Sequence, residues 1–566
     1  MFLHHLLSLP FLLPTWASSG VLGSSEDVKQ IAVIGAGAAG SSAAYHLRKY
    51  AEESGIVINV TVFEKSSRIG GRAVTVNVYD DPIEPIELGA SIFVDVNYIL
   101  VNATRDLGLT TKDPDTNEGE LLGVWDGDSF VYTQDSNSWN WVNLVRLLWR
   151  YGTAPYYTKK LVQKTVATFL KLYEEPFFPF PSLSARAFQL DLVKLTGMTG
   201  SQFLAANNLP RLFSHDIIQA STRVNYASNL DFIHGLSTMV AMAPEGAKTI
   251  EGGNWQIFAN MVKASKAALH LNSTVTNIRL NADQKYEIET AEETGDEKSR
   301  TTQSRRFTFD DVIIATPFQF ANISMDEIAI QHPIDVIPYA TLHVTLFASP
   351  YEFSPAFFKL PPTSKVPSSV LTTLGGEDAS LPGQSGAGTA GFYSATLLRI
   401  AMNPLTHRPD YVYKIFSPDA VTPEFLSKLL GVKVPDSFTQ NGDVKSDNIG
   451  DDATNPVSWF HATVFHPYPQ LSPRVTFQDP ILRDGLYYTS GIESFISTME
   501  TSALMGMNVA RLIIDDYADI PRPGDDGLGA MHMMPNYEGV GQNVLGQKLG
   551  NKTKSYRQPL AEVNEL

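Results

Sequence analysis

The sequence contains no cysteine. That excludes disulfides, thiolate nucleophiles and any prosthetic group tethered through a cysteine sulfur, an absence tolerable in a chain large enough to stand on its own core. Positive charge is scarce too: 43 Lys and Arg against 60 Asp and Glu leave a formal net charge of -17. Nucleic-acid binders need clustered cations to displace counterions from phosphates, so no nucleic acid is expected as a partner. Beyond the N-terminus no apolar run reaches the roughly 18 to 20 residues of a membrane span, and no transmembrane span is expected. The 12 histidines are scattered, and no HxxxH or paired-carboxylate spacing suggests a metal site.

What is present begins with MFLHHLLSLPFLLPTWASS, an apolar run ending in small residues at Ala17 to Ser19. Residues 1–19 read as a cleaved secretory signal, without the usual Lys or Arg near Met1; a short anchor or a buried helix would be the other readings. Sequons stand at Asn59, Asn102, Asn272, Asn322 and Asn551, a count close to what chance gives in such a chain. A length of 566 residues with 43% hydrophobic content points to two interleaved domains.

One segment carries legible chemistry. QIAVIGAGAAGSSAAYHLRKYAEESGIVINVTVFEK reads as strand, glycine turn, alanine-rich helix and strand, a single βαβ unit. Gly35 makes the turn, Gly37 lets the first helical amides, at Ala38 and Ala39, approach a pyrophosphate, and Gly40 permits close helix-to-strand packing. Glu64, ending the second strand, is placed to accept hydrogen bonds from a ribose diol and to repel a 2′-phosphate. These residues alone allow FAD or NAD.

Further along, residues 139–174 show helical apolar spacing (Leu144, Leu147, Leu148, then Leu161, Val166, Phe169), and helical signals continue to about residue 207. QIFANMVKASKAALHL reads as a helix leading into strands around a polar hairpin, whose charged stretch from Glu292 to Arg306 is expected to be a solvated tip. Between about 340 and 480, short strands broken by Pro and Gly suggest a second, mostly antiparallel sheet. The polar residues 521–566 are expected to be flexible.

After Glu64, KSSRIGGR resembles the second fingerprint of the glutathione-reductase-like flavoproteins that include amine oxidases. ELGAS (Glu87 to Ser91), DDVIIATP ending at Pro317, and GLYYTSGIES follow in that group's order. The resemblance selects FAD. It implies a cofactor set in which Lys65, Gly70, Gly71 and Arg72 approach the pyrophosphate and flavin side, Ala90 and Ser91 pass beside the flavin, Val275 closes over the adenine, and Gly491 and Glu493 meet the ribityl chain or pyrophosphate. With no cysteine, the FAD is expected to be non-covalent. WRYG (149–152), RVNY (223–226), EGGN (251–254), YKIFS (413–417) and LYYTSGIE (486–493) further resemble segments of the prenylcysteine oxidase family, also called the prenylcysteine lyase family. WRYG reads equally well as a helix end with aromatic core residues, RVNY as a buried Arg pairing with a structural carboxylate, and Asn254 as the cap of the next helix.

This likeness implies an α/β fold, α+β overall: a Rossmann-like FAD-binding domain with a central parallel sheet, interleaved with a substrate domain of mixed or antiparallel sheet plus helices. The FAD-binding domain takes residues 28–105, 249–320 and 481–520, a helical substrate or cap region 106–248, the substrate sheet 321–480 and the tail 521–566. The implied activity is that of a flavoprotein oxidoreductase acting on the thioether of free S-prenyl-L-cysteine, within the degradation of prenylated proteins. Flavin N5 takes the hydride, water adds, and the hemithioacetal collapses to cysteine and a prenyl aldehyde, while dioxygen returns as hydrogen peroxide. The cofactor does the hard step, so a dedicated catalytic side chain is not required. Arg223 is a candidate for the substrate carboxylate and Glu245 or Glu251 for its ammonium; His466, in FHPYP, is a turn histidine or a proton relay for the water step. The family's members act in a lysosome or vacuole, so a secretory destination there or outside the cell, with peripheral membrane contact, is the expected setting. A flavin amine oxidase and an FAD-containing lipid-binding glycoprotein are the alternative readings.

Overall fold

The computed structural model describes residues 28–83, 85–114, 121–135, 140–243, 246–294, 301–375, 378, 386–436 and 456–522. The expected signal segment, Glu245, Asn551 and all but the first two residues of the expected tail lie outside these described residues.

The fold is built outward from strand β1 (Lys29–Ile34). Ile31 and Val33 are buried among helices on one face, while Ala32 and Ile34 are buried on the other. A strand apolar on both faces needs cover on both, the condition of a parallel sheet. β1 pairs in parallel with Asp311–Ile314 on one side and with β2 (Ile58–Phe63) on the other. Ala268–His270 and Leu486–Tyr488 extend the sheet in parallel, and Ile481–Arg483 closes one edge antiparallel, making six strands. Helix α1 (Ala38–Ser54) connects β1 to β2 and presents Ala39, Ala43, Leu47 and Ala51 to one core, which it shares with Leu504 and Val509 of the C-terminal helix Met499–Tyr517. The opposite face is covered by a four-stranded sheet that includes Ser273–Leu280, Tyr286–Thr294 and Thr301–Phe309.

A seven-stranded sheet forms the second layer system, in the order Trp459–Phe465, Leu342–Ser349, Pro409–Ser417, Ser394–Met402, Ser369–Thr372, Leu121–Trp125 and Phe130–Asp135. All pairs are antiparallel except Ser369–Thr372 with Leu121–Trp125. The molecule is thus the expected α/β arrangement of a parallel Rossmann-like sheet interleaved with a mixed sheet and helices.

Two local expectations need correction. Residues 106–248 are not wholly helical: the hairpin Leu121–Asp135 leaves that block and completes the second sheet, burying Val124 and Trp125. The two ends of the charged stretch from Glu292 to Arg306 belong to strands: Glu292 pairs with Ser273 and Gln303, and the exposed Arg305 and Arg306 face Glu292 and Glu289 across the ladder, while residues 295–300 lie outside the described residues. Cross-strand ion pairs let these charged residues sit in an edge strand while the arginine side chains stay exposed.

Candidate cofactor and substrate cavity

The glycine turn after β1, the ELGAS segment, the C-terminal helix and one face of the second sheet converge on a cavity of about 790 Å³. That is near the upper end of small-molecule sites, which run roughly 300–1,000 Å³. One end is lined by Gly35, Gly37, Ala38 and Ala39, with Gly70 and Gly71 opposite. α1 follows its N-cap Gly37 with no side-chain capping hydrogen bond and no acidic residue in its first turn. Its first amides therefore remain available to an anion, favoured further by the helix dipole. A Cβ on Gly37 would meet nothing closer than the Gly71 Cα at 3.8 Å, so the space above this residue opens into the cavity. Gly40 does a different job: it does not line the cavity, and a Cβ there would stand 1.9 Å from the Gly35 carbonyl oxygen.

Glu64 lines the same end and holds the loops that frame it. One carboxylate oxygen accepts from the Ala36 N–H at 2.8 Å, and the other from the Ser66 N–H and Oγ at 2.9 and 2.8 Å. Lys65 lies beside it on the wall. Arg72 grips Glu493 through two hydrogen bonds of 2.8 and 2.7 Å and also donates to the Pro467 carbonyl. Burial works against the Arg72 charge, but Glu493 more than offsets it and holds the guanidinium above its ordinary value. The pair ties the RIGGR turn to the GIES segment, while Gly491 packs against Gln478 away from the cavity.

The other end is apolar. Leu342, Val344, Leu398, Phe416 and Phe465 project from the second sheet, and Val166, Phe169 and Leu170 from helix Ala154–Leu170. Into this surface comes one lysine that the sequence reading did not single out. Lys414 Nζ donates to the Glu87 carbonyl at 2.8 Å and to Ser91 Oγ at 3.2 Å. Burial lowers its pKa to about 8, with Glu87 opposing. The Glu87 carboxyl is itself pushed up to about 7 by burial, and one of its oxygens has no hydrogen-bond partner. A lysine midway along the apolar strand DYVYKIFS was the available signal, since a charge there must either pair or line a cavity. Glu500 was also missed. It accepts from the Ile99 and Leu100 N–H groups, the first amides of helix Tyr98–Asp106, and burial raises it to about 7.

Several expected roles do not fit. Arg223 is 0% exposed and faces away from the cavity: Thr372 and Asn229 and the carbonyls of Gly386 and Ala387 take its donors, stapling helix Gln219–Tyr226 to the second sheet. Its neighbours Val224, Asn225 and Tyr226 line the cavity instead. Glu251 is exposed and is not among the lining residues, nor is Val275, which is buried between the parallel sheet and the four-stranded sheet. Asn254 stands at the N-cap of its helix, as expected, but its side chain makes no capping hydrogen bond; it accepts from the Ile250 N–H and donates to the Ala90 carbonyl, fastening EGGN to ELGAS. His466 lines the cavity, stacked on Phe320 at 4.9 Å. Ala90 and Ser91 line it too. Among the described residues no cluster could hold a metal ion, and no helix is long and apolar enough to cross a membrane.

Residues 134–522 match the family model for prenylcysteine lyase, and residues 33–104 that for an NAD(P)-binding Rossmann-like domain. Farnesylcysteine lyase of Arabidopsis thaliana is 29% identical over 528 residues, 90% of this chain and 92% of that protein. Prenylcysteine oxidase 1 of Homo sapiens is 26% identical over 503 residues, covering 85% of this chain and 88% of the relative. Among solved structures, cyclohexylamine oxidase from Brevibacterium oxydans IH-35A shares the fold at a TM-score of 0.51 and 15% identity, over 87% of this chain and 99% of that one.

Proposed function

Because this chain belongs to the prenylcysteine lyase family, we propose that it is an FAD-dependent oxidase that cleaves the thioether of free S-prenyl-L-cysteine. The carrying observation is the single cavity that runs from helix-start amides and glycine loops at one end to an apolar wall at the other. Its first end suits a dinucleotide pyrophosphate, held by the amides of Ala38 and Ala39 and the backbone at Gly70 and Gly71, without a covalent link. When bound, the flavin supplies a two-electron acceptor that dioxygen reoxidises. The overall change balances as thioether, water and dioxygen going to prenyl aldehyde, cysteine and hydrogen peroxide.

The chain's own residues contribute placement and exclusion of water. Val344, Phe416 and Phe465 on the sheet and Phe169 and Leu170 on the helix offer a dry surface to an isoprenoid, whose burial is worth about 0.8 kcal/mol per CH₂. Lys414 brings positive charge to a largely apolar face that also carries Ser394 and Thr396 and is placed to receive the cysteinyl carboxylate, the part first given to Arg223. Its hydrogen bonds to the Glu87 carbonyl and Ser91 hydroxyl fix the direction of Nζ.

A secretory destination, in a lysosome or vacuole or outside the cell, belongs to the same proposal. Asn59, Asn102, Asn272 and Asn322 are exposed, and Asn272 sits in a turn, a setting that suits glycan attachment. The activity is tested by incubating the purified holoprotein with S-farnesyl-L-cysteine in air and measuring three products. Farnesal, free cysteine and peroxide are expected in equal amounts; ammonia released in place of cysteine would show an amine oxidase instead.

A further inference from the structure

The stretch between residues 136 and 173 holds six Lys and Arg and no Asp or Glu, inside a chain of net charge -17. It forms two helices, Asn140–Tyr151 and Ala154–Leu170. On the second helix, Ala154, Thr158, Val162, Thr165 and Phe169 form the buried stripe. The opposite stripe carries Tyr156, Tyr157, Lys160 and Lys164, all exposed, as a 3.6-residue period requires. Lys160 lies over the Tyr156 ring at 4.6 Å. On the first helix, Val145, Leu148 and Trp149 share one face at i, i+3, i+4 spacing. Trp149 is 89% exposed, and Arg146 stands beside it in solvent. Arg150 is committed elsewhere, to Asp216 at 2.9 Å.

Exposed Trp and Tyr interleaved with cations, on a stretch of chain without Asp or Glu, match the chemistry of an anionic lipid interface. Aromatic rings settle at the headgroup level, and basic side chains meet the phosphates. The patch is also continuous with the cavity, because the same helix that exposes Tyr156 and Lys160 lines it with Val166, Phe169 and Leu170. We propose that these two helices seat the protein on an anionic lipid surface, with Val145, Leu148, Trp149, Tyr156 and Tyr157 entering the interface and Arg146, Lys160 and Lys164 contacting headgroups. The docking stands on the surface alone; its purpose, taking a prenylated ligand directly from lipid, rests on the function proposed above.

The test is flotation of the full-length holoprotein, without substrate, with vesicles of phosphatidylcholine alone or mixed with phosphatidylserine. Binding is expected to the mixed vesicles only and to weaken with added salt. Replacing Arg146, Lys160 and Lys164 together by Gln should weaken it about a hundredfold, at roughly fivefold per cation. Trp149→Ala should weaken it about tenfold. Retained flavin content would confirm that these variants are folded. No vesicle binding, or variants that bind like the parent, would overturn the proposal. So would a concentration-dependent dimer in lipid-free buffer that Trp149→Ala dissolves, since the face would then belong to a second copy. No turnover is measured, so docking and the oxidase reading can fail independently.

Discussion

Lys414 offers the sharpest single-residue test of how the cavity reads its ligand. A hydrogen bond to a charged group contributes about 1.5–3 kcal/mol, so Lys414→Met should lower kcat/KM for S-farnesyl-L-cysteine by roughly ten- to a hundredfold, mainly through KM. The methyl ester of that substrate, lacking the carboxylate charge, should be used poorly by the parent and no worse by the variant. An equal loss with acid and ester would remove Lys414 from carboxylate recognition. Glu500 makes a separate prediction about pH. Its folded pKa is raised by burial to about 7 from an ordinary 4.5, so its contribution to stability is fully present below about pH 4.5 and is lost as pH rises through about 7. The loss amounts to about 3 kcal/mol. Glu500→Gln should flatten the pH dependence of Tm across that window, and an unchanged slope would show that another group governs it. Both residues were hidden in the sequence for the same reason: a lone charge in an apolar run acquires meaning only when its partners, here Glu87 and Ser91 or the amides of Ile99 and Leu100, arrive from distant segments.

At the scale of elements, the βαβ unit was readable because all of its instructions are local. β1 is apolar on both faces, and its turn and helix follow without interruption. The two glycines of that turn separate fold from ligand. Gly40→Val should prevent folding or cost several kcal/mol, because its side chain would enter the Gly35 carbonyl. Gly37→Val should keep the far-ultraviolet circular dichroism of the parent yet purify without flavin, because its side chain would fill only the space above the helix start. Normal flavin content in Gly37→Val would contradict the assignment of this loop. The hairpin Leu121–Asp135 shows what was not readable: its sheet partner, Ser369–Thr372, lies far along the chain, and such pairing leaves no periodic mark. Arg223 shows a subtler miss. RVNY does reach the cavity through Val224, Asn225 and Tyr226, but the Arg223 guanidinium is drawn into the second sheet by Thr372 and the carbonyl of Ala387, partners that lie far along the chain.

Over the whole molecule, the parallel sheet, its helical cover and the second sheet meet at one cavity, and the segments that build the two sheets are interleaved in sequence because each sheet contributes one wall. The glycine-lined end was largely legible, since backbone geometry constrains which residues can stand there. The apolar end was legible only as a general need for a tunnel, because sheet faces and helix stripes from separate segments build it. The central claim is that a prenylated thioether reaches the flavin in this cavity and is oxidised there. Anaerobic titration of the holoprotein with S-farnesyl-L-cysteine tests it most directly. The account predicts bleaching of the oxidised flavin absorbance, complete at one equivalent of thioether and restored on admitting air. An unchanged spectrum at saturating farnesylcysteine, or bleaching by simple amines alone, would contradict it.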